Sequence, residues 1–114
     1  MDLKKHHTFD KTKNILLEAI FYLATAKGDL RERLKSVDAL YLEDKHFPNE
    51  LQPKWNQVLK ILSKFPSERN QKGEIIGTIQ TNLNKMKNTT ASKIATAIVE
   101  LYEEISCLLV KDIL

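Results

Sequence analysis

The sequence contains a single cysteine, Cys107, so no internal disulfide can form. A reduced, cytoplasmic setting is the expectation that follows. Histidine is nearly as scarce. His6, His7 and His46 show no Cys–x–x–Cys, His–x–x–x–His or Glu–x–x–His spacing, so no metal site is expected. Long apolar runs are missing as well: the longest, AIFYLA at residues 19–24, is far below the roughly 20 residues a membrane-spanning helix needs. No membrane association is expected. The opening MDLKKHHTFDK meets charge at Asp10, Lys11 and Lys13 before Ile15, and it lacks the apolar centre of a secretory leader.

Other absences concern chemistry. No Gly-rich phosphate loop of the required pattern is present. Cys107 sits between Ser106 and Leu108 in the most apolar part of the last segment, where a thiol is expected to stay protonated and inert. Glu100, Glu103 and Glu104 share a helix edge by their spacing, which reads as a solvated face and not as paired acid catalysts. No catalytic residue and no cofactor is assigned. The chain reads as a non-enzyme.

What remains is helical patterning. With 114 residues there is room for one domain, residues 1–114, that buries roughly two-thirds of its unfolded surface without staples. From Asp10 to Lys27, apolar residues at 15, 16, 19, 20, 23 and 26 form a broad stripe of helical period. Gly28 ends it, and Asp29 is placed to cap a second helix through Leu30, Leu34, Val37 and Tyr41. After EDKHFPNELQP, a third helix carries Trp55, Val58, Leu59 and Leu62 on one face. It opens either with an Asn49/Gln52 capping box or with Pro53 at its first position. A polar loop, FPSERNQKG, precedes a fourth helix through Ile76, Ile79, Leu83 and Met86, with Gly77 inside it. The fifth helix has the strongest signal: Ala91, Ile94, Ile98, Leu101, Ile105 and Leu108 alternate steps of three and four. Short connections favour antiparallel neighbours, so the expected fold is all-α, an antiparallel bundle of four to five helices.

Charge is distributed unevenly. Residues 1–53 balance nine Lys/Arg against nine Asp/Glu, whereas residues 54–93 carry eight basic residues against Glu68 and Glu74 alone. Within that block, KMKNTTASK gathers Lys85, Lys87 and Lys93 around a helix start at Asn88, with Thr89 and Thr90 in its first turn. A helix N-terminus, hydroxyls and three cations suit a phosphate. One exposed terminus contributes only about 0.3–1 kcal/mol, so a polyanion engaging further lysines is the ligand this segment fits. Accessory binding of a nucleic-acid backbone by residues 54–93 is therefore the alternative expectation. The leading one is a non-catalytic interaction or adaptor module that self-associates through its C-terminal helix. In ISCLLVKDIL, residues Ile105, Leu108, Leu109, Val110, Ile113 and Leu114 are spread around the helix axis, more than one face buries. The spare face is covered by the second segment, by a second copy in a homodimer or by a partner protein.

Overall fold

The computed structural model describes the backbone of residues 1–113 and the side chains of residues 1–112. The chain is mostly helical, which agrees with the all-α class. Helix α1 spans Leu3–Thr25, starting well before the apolar stripe does. Its N-cap is Asp2, whose carboxylate accepts from the Lys5 N–H (2.7 Å) and satisfies a donor with no intrahelical partner. Thr12, Leu16, Ala19 and Leu23 face the core at steps of four, three and four. Helix α1 ends as Gly28 turns the chain at φ +97°, a conformation where a Cβ would lie 3.1 Å from Glu32 Cβ.

Asp29 then caps helix α2, Leu30–Leu34, by accepting from the Glu32 N–H (3.0 Å). The helix expected to run on to Tyr41 stops at Leu34. Three short 3-10 turns follow, at Asp38–Tyr41, Asp44–His46 and Asn49–Leu51. They let Val37, Ala39, Leu40, Leu42 and Phe47 all point inward, which one continuous helix could not do. Helix α3, Gln52–Leu62, opens in neither of the two expected ways: Leu51 is the N-cap, no side chain caps it, and Pro53 takes the second position of the first turn. Trp55 is fully buried; its ring lies 5.1 Å from Phe47, and its indole N–H donates to the Leu42 carbonyl at 2.8 Å. The 3-10 segment is thereby tied to α3.

A small antiparallel ribbon interrupts the helices: β1, Glu68–Arg69, pairs with β2, Ile75–Ile76. No strand was expected here, because two-residue strands are too short to show alternation. Helix α4, Thr78–Lys85, begins after Gly77, which is its N-cap and not an interior residue. On α4, Asn82 is 2% exposed. Its side chain donates to the Phe65 and Thr78 carbonyls (2.9 and 2.8 Å) and accepts from the Phe65 N–H (2.9 Å). Leaving a buried backbone group unpaired costs about 1–3 kcal/mol, so this amide holds the loop onto α4.

Helix α5, Asn88–Ile113, is the central element. Ala91, Ile94, Ile98, Leu101 and Ile105 are wholly buried along one stripe. Each large aliphatic side chain so placed contributes about 1.5–3 kcal/mol. The Met1 amine donates to Asp112 Oδ1 (2.8 Å), so α1 runs antiparallel to α5. Lys54 near the start of α3 reaches Glu100 and Glu104 (3.0 and 3.3 Å), while Ile61 lies beside Ser92 and Lys93, so α3 also runs antiparallel to α5. The molecule is elongated, 54 × 26 × 20 Å.

Candidate binding groove

The residues singled out for anion binding are brought to one corner only in part. The first residue of α5 is Asn88; Lys87 holds the capping position and its carbonyl accepts from Thr90 and Ala91 (both 3.0 Å). Asn88 is therefore not the N-cap. Its side chain instead interacts with Asp29, whose carboxylate accepts from Arg31 at 3.2 Å. Arg31 also donates to the Met86 carbonyl (3.0 Å), docking the α4–α5 corner onto α2, and Arg33 donates to the Leu23 carbonyl at the end of α1. These two arginines are fastenings between elements. An anion at the α5 N-terminus would meet a carboxylate already present. The Glu32 N–H holds the Asp29 carboxyl below its ordinary value; desolvation opposes this, and Arg31 and Asn88 add to the lowering.

The lysines of that block are partly engaged. Lys85 pairs with Glu68 and lies 4.8 Å above the Phe65 ring. Lys93 lines the α3–α5 cleft, whose lining also includes Lys54. Glu100 raises the Lys54 pKa, against desolvation, and Glu104 helps it. Thr89 is exposed and Thr90 half-buried, and Lys87 has no ion-pair partner among the described residues.

The apolar C-terminal segment divides differently. Ile105 and Leu109 are buried in the core at 0% and 4% exposure, so their cover comes from the same chain. Leu108 is half-buried and Val110 is 56% exposed. Leu114 and the Ile113 side chain lie outside the described residues. Cys107, expected in apolar surroundings, is exposed.

Leu108 lines a groove of about 860 Å³ at the end of the molecule where α1 begins and α5 ends. Its floor is apolar: Phe9 and Leu108 are half-buried, and Phe47 and Pro48 are buried. Its rim is basic, formed by Lys4 and Lys5 from α1, Lys45 from the second 3-10 turn and Lys111 from α5. Lys45 sits 3.5 Å from Glu43, whereas Lys4, Lys5 and Lys111 have no ion-pair partner among the described residues. Three acids share the rim. Asp2 is held by its capping bond, Asp112 by the Met1 amine, and Glu50 is exposed.

A second cleft of about 490 Å³ adjoins the first, since Thr8 and Lys45 line both. It adds His7, Lys11 and His46. The His46 Nδ1 accepts from the Glu43 N–H (2.9 Å), and its carbonyl accepts from the buried Thr12 hydroxyl (2.8 Å). Sequence reasoning missed this site. Of its lining, only Leu108 was singled out from the sequence, and the apolar pair Phe47–Pro48 within a charged stretch was a further local signal. Among the described residues, no three His, Cys, Asp or Glu side chains converge as a metal site would require, and no helix is long and apolar enough to cross a membrane. Comparison with protein-family models, with curated proteins and with solved structures returns no match.

Proposed function

We propose that the chain is a non-catalytic interaction module, a small antiparallel helical bundle that takes a segment of a partner protein into the groove between the start of α1 and the end of α5. The observation that carries this is an apolar floor ringed by four lysines, of which Lys4, Lys5 and Lys111 have no carboxylate partner among the described residues and only Lys45 pairs, with Glu43. Water-filled apolar concavities of this size are where proteins gain most from a visiting side chain. Leu108, one of the residues expected at an interface, lines this groove, whereas Val110 is exposed outside its lining.

The test is recovery of the partner from the protein's own cell with three baits. The wild-type chain and a Lys60→Glu/Lys93→Glu control, which leaves the groove untouched, should retain the same partner. A Lys4→Glu/Lys111→Glu chain should lose it. Retention by the groove variant, with loss by the control, would move the contact to the basic block and favour the nucleic-acid reading of Lys85, Lys87 and Lys93. Self-association through Leu108 and Val110 is the competing protein-contact reading. Sedimentation should give a monomer, and a dimer abolished by Val110→Asp would replace the groove with a homodimer interface.

A further inference from the structure

We infer that the groove takes an acidic segment with apolar side chains among its carboxylates, a peptide of a partner protein bound in extended form. This rests on the reading of the groove as the docking surface and names the chemistry of its occupant. The half-buried Phe9 and Leu108, backed by the buried Phe47 and Pro48, leave apolar surface that an aliphatic or aromatic side chain of a ligand would remove from water together with its own. The rim sets the sign of the ligand. Around the two adjoining clefts, Lys4, Lys5, Lys11 and Lys111 have no ion-pair partner among the described residues. Of the rim acids, Asp2 and Asp112 are already held by a backbone N–H and the Met1 amine, leaving Glu50 as the one without a described partner. Positive charge is therefore in excess where a ligand would lie, and carboxylates restore the balance.

A nucleic-acid strand would use the same lysines, but it also needs aromatic faces for its bases. Phe47 is 1% exposed with its ring against Trp55, and Phe9 is half-buried, so no open ring is presented. A small anion is disfavoured too, since it would leave the apolar floor wet. Length follows from geometry. Lys4 to Ile15 spans about 16 Å of helix at 1.5 Å per residue, which an extended chain covers in about five residues.

The test uses the intact protein and fluorescein-labelled probes of about eight units. One is a peptide alternating glutamate with leucine; a second replaces leucine by serine, a third replaces glutamate by lysine, and a fourth is oligothymidylate. Polarisation gives affinity, and amide shift mapping gives location. The glutamate–leucine peptide should bind best, shift amides of the first three turns of α1, of Phe47–Gln52 and of the end of α5, and weaken as salt rises. Lys4→Ala/Lys111→Ala should weaken it about tenfold with the circular dichroism spectrum unchanged. Tighter binding of the lysine peptide at the same amides would overturn the acidic assignment and leave the docking surface standing. Preferential binding of oligothymidylate would replace the peptide with a polynucleotide. If no probe shifts these amides and the Lys4→Glu/Lys111→Glu bait keeps its partner, both the occupant and the docking surface are wrong.

Discussion

Asp29 serves two neighbours with one carboxylate: Oδ1 accepts from the Glu32 N–H at 3.0 Å and Oδ2 from Arg31 at 3.2 Å. Its pKa lies below the ordinary 3.8, so the charged form is favoured in the folded chain over the unfolded one. The sign of the pH effect follows from linkage. The stabilisation is complete above the ordinary carboxylate value and is lost as pH falls through the lower, folded one. Asp29→Asn keeps an acceptor for the cap and removes the charge facing Arg31. Urea melts should therefore show the variant weaker than wild type at neutral pH, with the gap closing in acid. A gap that stays constant with pH would assign the effect to packing. The cap itself was legible, because Gly28–Asp29 announces a stop and a start within two residues. The bond from Arg31 to the Met86 carbonyl was not, since the partners are 55 positions apart and neither residue type implies the other.

Among the elements, legibility tracked the length of the repeat. Helix α5 keeps its steps of three and four for most of its course, and each apolar position so marked from Ala91 to Ile105 is wholly buried. The second segment shows four such positions, yet only Leu30 to Leu34 is α-helical, because three tight turns can bury Val37 and Leu40 equally well. Helix α1 began unseen because its first two turns are polar and their signal was the cap Asp2 and not a stripe. Gly28, read as a helix end, and Gly77, read as a helix interior, separate in a measurable way. Gly28 has φ +97° and a crowded Cβ position, so Gly28→Ala should cost about 1–2 kcal/mol. Gly77 has φ −57°, open space around it and no side-chain cap bond, so Gly77→Ser should stabilise α4 by roughly a few tenths of a kcal/mol. Thermal melts of the two single variants check both signs; a stabilised Gly28→Ala protein would contradict the strained turn.

At the scale of the whole molecule, charge counted along the chain and charge arranged in space disagree. Residues 1–53 balance to zero and drew no attention, yet the groove takes Lys4, Lys5 and Lys45 from them and Lys111 from the acidic last stretch. A tally by blocks cannot see a site assembled from both ends. Meanwhile the block of highest net charge divides between the α3–α5 cleft and the α4–α5 corner and pairs Lys54 and Lys85 with carboxylates. The meeting of Met1 with Asp112 has one more consequence. The first turn of α1 and the last described turn of α5 lie side by side, close enough for a short linker to join them. A circular permutant, spliced there by a short flexible linker and reopened in the exposed Asn70–Gly73 turn, would make α5 and α1 consecutive. The most extensive helix pairing would become a sequence-local hairpin with a smaller closure entropy. Stopped-flow refolding of that rearranged chain should outpace the original.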